Sequence, residues 1–194
     1  MKADDSKLRI ALAVFDPPAA LLAGTAPLLQ DGIPLARIGL ILLRSAVDRL
    51  AALRTDTAAA EGLIAALTSD LSAFASTPGG DQLMASPGLL KPWRTGWRLP
   101  ALWSGTPGDG EPRLSPDLDR HVRAGAAIVA VESLSAREHW RCARVLLAQS
   151  SSSVLALECS LPATEADVSS LTPGASRPPP EAACDARPGC GRGS

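Results

Sequence analysis

An α+β fold is what this sequence predicts, and three observations carry the prediction. Short apolar runs rich in Ile, Val and Leu alternate with longer stretches of helical period. The alternation occurs twice: RIALAV, a helical stretch and RIGLILL in the first half, then AAIVAV, a helical stretch and SVLALE in the second. Each unit is about the minimum length for a strand–helix–strand crossover. Two such β-α-β halves, crossing with the usual right hand, make a four-stranded sheet with both helices on one face. The economical architecture is therefore a ferredoxin-like sandwich, its halves separated by a long helical insertion. A small parallel α/β sheet uses the same elements and stays open at this point.

The elements follow in order. Leu8–Phe15 reads as a strand with Leu8, Ile10, Leu12 and Val14 on one face. Asp16-Pro17-Pro18 breaks it and opens a helix reaching about Gln30, with Leu21, Leu22, Leu28 and Leu29 as its buried stripe. Gly24 and Pro27 weaken that helix. Asp31-Gly32-Ile33-Pro34 is a turn, and Arg37–Leu43 is the second strand. In the second half, Ser115-Pro116 opens a short helix and Gly125 is placed to close it. AAIVAV is a third strand. From Ala136 the period becomes helical, with Ala136, Trp140, Ala143 and Leu147 sharing a face. A serine-rich turn leads to the last strand, centred on Val154–Leu157.

The insertion, about 45–114, divides in two. Its first part carries Leu50, Leu53, Thr57, Ala60, Ile64, Leu67, Leu71 and Phe74 in alternating steps of three and four. That stripe predicts a helix, or a hairpin broken near Thr55-Asp56, on the sheet face that the crossover helices leave open. A self-associating coil is its other use. The second part, from Thr77 to Pro112, is interrupted by Pro and Gly every few residues and reads as a loop. It holds Trp93, Trp97 and Trp103, three of the four tryptophans, so an ordered loop pinned by its rings is expected. Residues 1–160 then form a single domain. The tail 161–194, dominated by Pro, Ala, Gly and Ser, is expected to be disordered.

Composition removes several function classes. Hydrophobic residues make up 46% of the chain, enough for a core, while aromatics are 3%. A net charge of -1 disfavours nucleic acid as the main partner, because phosphate binding needs a concentrated basic field. The N-terminus places acids before its apolar run and Asp-Pro-Pro after it, unlike a signal peptide. No apolar run approaches the ~20 residues of a membrane span, so a cytoplasmic protein is expected. The scarcity of lysine and the absence of Asn fit a GC-rich bacterial coding sequence. Four cysteines, at positions 142, 159, 184 and 190, match neither a disulfide framework nor a zinc ribbon.

The residues that point to binding are Trp93, Arg94, Trp97, Arg98 and Trp103, where rings and cations interleave beside Lys91. Such a set stacks on a flat ligand, clamps a phosphate or sits at a membrane interface, unless the rings fill the core edge. With Arg120 and Arg123 it supplies an anionic-ligand reading. His139 and Cys142, three apart, share a helical face, but a metal needs two further ligands and only His121 is on offer. Phosphate loop, dinucleotide fingerprint, nucleophile elbow and H-E-x-x-H are all missing. Ser150–Ser153 reads as a turn without a base. No catalytic residue, cofactor or metal is assigned.

DPPAALLAGTAPLLQDGIPLARIGLILL, with HVRAGAAIVAVES, resembles the two halves of the small bacterial heat-induced or general-stress-protein-like family. The resemblance covers roughly Leu8–Leu43 and Asp117–Glu158. It implies a non-enzymatic, stress-associated or regulatory role and transfers no catalytic residue. In the middle, where such proteins carry a Gly- and Ala-rich apolar insertion, this chain has its leucine stripe and tryptophan loop. The expected function is a non-catalytic interaction or regulatory module with an unidentified protein partner, a homodimer among the arrangements. The rivals are an anionic-ligand protein or enzyme, and a peripheral membrane adaptor.

Overall fold

The computed structural model describes residues 7–53, 58–94, 99, 101–104, 112–150 and 154–160, without the side chains of 92–94 and 160. All of them lie within one unit, Met1–Pro162. The tail expected to be disordered lies outside the described residues. Chain order is β1 (Lys7–Phe15), α1 (Leu21–Gln30), β2 (Ile38–Leu43), α2 (Arg44–Ala52), α3 (Ala58–Thr68), β3 (Ser72–Ser76) and β4 (Gln82–Ala85). It continues with α4 (Pro87–Arg94), β5 (Trp103–Ser104), β6 (Arg113–Leu114), α5 (Pro116–Arg123), β7 (Ala127–Ser133), α6 (Ala136–Gln149) and β8 (Val154–Ser160).

The main sheet has six strands in the order β3-β4-β2-β7-β1-β8, and every neighbouring pair is antiparallel. The protein is α+β, and the parallel alternative is excluded. β5 and β6 form a separate two-stranded ribbon. The insertion is not only helical. SAFAS and QLMA, read as parts of a stripe and a loop, become β3 and β4 and extend the sheet beyond β2. The heptad stripe stops with α3: Leu71 lies outside any helix and Phe74 is on β3. Pairing with β4 satisfies the backbone of this segment, which a short helix of Ser and Ala would stabilise little.

Alternation along β1 sends Ile10, Leu12 and Val14 to one face and Arg9, Ala11, Ala13 and Phe15 to the other. All of them are buried, so the strand is covered on both sides. α1 lies on the Phe15 face; a Cβ on Gly24 would come within 2.3 Å of the Phe15 ring. α6 lies on the same face, where Cys142 meets Ser133, the β7 partner of Arg9. Gly39 belongs to the Leu12 face, since both pair with Ala130. There α4 comes close, and a Cβ on Gly39 would sit 2.6 Å from the Leu89 side chain. The face opposite the crossover helices is thus met by α4, whereas α3 packs beside α1, α2 and β2. Gly125 takes a φ of +100° just after α5, the left-handed turn its glycine permits.

Candidate functional site

α6 is the element that organises the surface of interest. Ser135 caps it, its hydroxyl accepting from the Glu138 N–H at 3.2 Å. The Glu138 carboxylate reaches back to accept from the Leu134 N–H at 2.6 Å, which makes a close relative of the reciprocal capping box. The same carboxylate takes both outer nitrogens of Arg37, at 2.8 and 2.9 Å. This fork fastens the start of α6 to the start of β2. Arg37 holds the Glu138 carboxyl below its ordinary pKa, and Glu138 in turn raises Arg37.

With that flank fixed, the helix turns His139, Cys142, Ala143 and Leu146 inward. Beneath them runs a polar row across three strands, Glu158–Arg9–Ser133. Arg9 is buried and donates to Glu158 at 3.1 Å, and Lys7 lies 2.7 Å from the same carboxylate. Lys7, then Arg9, hold Glu158 below its ordinary pKa. Burial lowers the pKa of His139 and raises that of Cys142. A reactive cysteine needs its thiolate stabilised, and burial here does the reverse. His139 and Cys142 are the only metal-type pair α6 offers. Among the described residues no group of three or more His, Cys, Asp or Glu is placed to hold a metal. The row is an internal polar layer.

A groove of about 260 Å³ opens where β1 and β2 begin, floored by Leu8, Ile10 and Leu89 and rimmed by Arg37, Asp70 and Glu132. It falls below the ~300–1,000 Å³ usual for ligand sites, and the guanidinium of Arg37 is already committed to Glu138. Arg120 and Arg123, offered for an anionic ligand, pair with Asp117 and Asp119 on their own helix.

The outer flank of α6 is different. Trp140 is 63% exposed and Leu147 61%, on the side of the helix away from Arg37, with Leu134 at 73% just before it. Trp140 and Leu147 lie on the flank turned toward β8, which pairs only with β1 among the described strands. β8 itself exposes Leu155 and Ala156, with Val154, Leu157 and Cys159 half-buried. Arg137, Arg141 and Arg144 line the exposed back of the helix. Among the described residues, the result is an open strand edge under an apolar ledge.

The residues singled out by sequence are scattered. Trp103 is buried and meets Phe74 edge-on, with ring centroids 5.5 Å apart, so its ring anchors the insertion. Trp93 and Arg94 belong to α4, but their side chains lie outside the described residues, as do Trp97 and Arg98 entirely. Trp140 and Leu147 were expected on the buried stripe; they are exposed instead, and the inward stripe is shifted to His139 and Cys142. A helix with apolar residues on two faces was the available signal. No family model matches the chain, and neither the curated proteins nor the solved structures compared with it give a match. No described helix is long and apolar enough to cross a membrane.

Proposed function

We propose that this chain is a non-catalytic interaction module, ferredoxin-like in its core, that engages a protein partner by strand addition along β8 beneath the α6 ledge. The core reading is supported by the order β2-β7-β1-β8, in which each half's two strands are separated by a strand of the other half. This is how two interleaved β-α-β units close one antiparallel sheet. Kinship with the heat-induced or general-stress family, with the regulatory role it implies, belongs to the same proposal and rests on the halves quoted for it.

The observation that carries the functional reading is the outer edge of β8, unpaired among the described residues, together with the exposure of Trp140, Leu147 and Leu155. Open strand edges bind extended segments through main-chain hydrogen bonds, with alternate side chains supplying specificity. A large exposed ring beside such an edge is the kind of anchor that interfaces bury. A photo-crosslinking residue in place of Leu147 or Leu155, in cells making the full chain, tests this. Discrete protein adducts from both positions, and none from exposed Asp117 on α5, are the expected result. No adduct from either position would sink the reading.

A further inference from the structure

We propose that the segment taken up beside β8 is acidic, its carboxylates answering the two arginines that flank Trp140. This rests on the strand-addition reading above and names the chemistry of its partner. Arg137, Trp140, Arg144 and Leu147 follow one another at steps of three, four and three residues along α6. Residues so spaced share one face of a helix, and all four are exposed. Cation and apolar group therefore alternate along a single stripe, ~15 Å long at ~1.5 Å per residue. Each guanidinium-bearing residue stands about one turn from Trp140, one on either side of it.

A partner that buries Trp140 and Leu147 takes water away from Arg137 and Arg144 as well. An arginine removed from water without a counter-charge is costly. Among the described residues neither of these two enters an ion pair, and Arg141, the third arginine on the exposed back, has Asp31 at 3.9 Å. The nearby acids are engaged elsewhere. Glu138 holds both outer nitrogens of Arg37 and the Leu134 N–H. Glu158 is paired with Lys7 and Arg9. Glu132 shares the sheet face of Ile10, its β1 partner, on the side away from α6. The counter-charge must come from the partner.

A polypeptide supplies it best. Only another chain brings backbone N–H and C=O groups to the β8 edge, which is unpaired among the described residues. A lipid surface offers the strand no such ladder. Nucleic acid is disfavoured by the net charge of -1. An arginine fork takes a carboxylate through two parallel hydrogen bonds, and exposed Trp beside Arg is the pairing that protein interfaces concentrate.

Photo-crosslinking from Leu155, on β8 and outside the stripe, tests the charge separately from the site. In cells making the full chain, Arg137→Gln with Arg144→Gln should cut the yield of protein adduct at least about tenfold, the scale of lost charge-assisted contacts. Arg120→Gln, on α5 and already paired with Asp117, should leave the yield unchanged. Circular dichroism should show the variants folded alike. The peptide recovered from the wild-type adduct should carry Asp or Glu beside the linked position, a readout that needs no variant. Undiminished adducts from the double variant, or a neutral or basic recovered segment, overturn the proposal while the strand-addition reading stands. So does an equal loss from Arg120→Gln, since any missing cation would then suffice. If the pure chain sediments with vesicles of phosphatidylserine and phosphatidylcholine and no protein adduct forms, the stripe belongs to a lipid surface and the proposal falls. Absence of adducts from both Leu155 and Leu147 removes both readings.

Discussion

β3 and β8 close the main sheet at its two ends, and they are finished differently. β3 is SAFAS, five residues whose register with β4 shifts between Ala73 and Ala75. Its one large side chain, Phe74, is buried against Trp103, and Ser72, Ala73 and Ser76 are what it shows outside. A short, irregular edge of small residues is a poor template for another strand. β8 is VLALECS, seven residues in unbroken register with β1. It has no proline and no bulge, and its single charge is turned toward Lys7 and Arg9. Among the described residues, the usual devices that blunt an edge are missing on the side where the helix above also shows its apolar residues. Edge protection is thus local: one end of this sheet has it, and the other has the features of an interface.

The comparison breaks first at Phe74. If β3 is held by that one ring, Phe74→Ala should cost about 3–5 kcal/mol, the range for truncating a buried aromatic, measured by urea unfolding. A loss under about 1 kcal/mol, within the scatter of ordinary substitutions, would mean that backbone pairing alone retains β3.

The next largest effect separates the two flanks of α6. Glu138→Gln removes the carboxylate from the Arg37 fork and should cost about 1.5–3 kcal/mol, as for hydrogen bonds to charged groups. Trp140→Lys, on the outer flank, should change monomer stability by no more than about 0.5 kcal/mol. Equal losses would show that Trp140 packs on its own domain and that the ledge is not free. The Glu138 contribution also has a pH signature. Its folded pKa is depressed, so the stabilisation is present above the ordinary carboxylate value and lost as pH falls through the folded one. The wild type and Glu138→Gln should therefore converge only once the pH has fallen below the depressed folded pKa of Glu138.

These contrasts show where local sequence was readable. Lys7–Phe15, Ile38–Leu43, Ala127–Ser133 and Val154–Ser160 came through because runs of Ile, Val and Leu that short suit buried strands. The α5 boundaries came through because Pro116 in the first turn and Gly125 after the last carry conformational signals of their own, although the Ser115 hydroxyl, expected to cap the helix, donates to the Ala101 carbonyl instead. β3 and β4 did not, since Ser, Ala and Gln state no strong preference and only the exposed edge of β2 recruits them. The candidate site was harder. α6 has two apolar stripes, and sequence spacing alone ranks Ala136, Trp140, Ala143 and Leu147 above a stripe containing His139 and Cys142. What decides the rotation is non-local: Arg37 takes Glu138, and the polar row from Arg9 to Ser133 receives the less apolar face.

The smallest effect belongs to His139, and it tests whether that inward rotation is as described. Arg9 from β1 and Glu158 from β8 act on the ring from below, with Glu138 and Cys142 beside it on α6. Its Nδ1 is buried without a hydrogen-bond partner among the described residues. Burial holds its pKa below the ordinary ~6.5. The unfolded chain is protonated first as pH falls. Stability should therefore decline from about pH 6.5 downward until the folded pKa is passed, and level off with respect to this group. His139→Leu keeps the volume roughly, leaves no unpaired nitrogen and cannot titrate. At pH 8 it should match the wild type within about 1 kcal/mol, because an unsatisfied buried group contributes no hydrogen bond to lose. Between pH 6.5 and 5 the variant should gain on the wild type. If the two stability curves run parallel through that window, the ring titrates as freely in the folded protein as in the unfolded chain. The inward face of α6 would then have to be reassigned, and Trp140 with it.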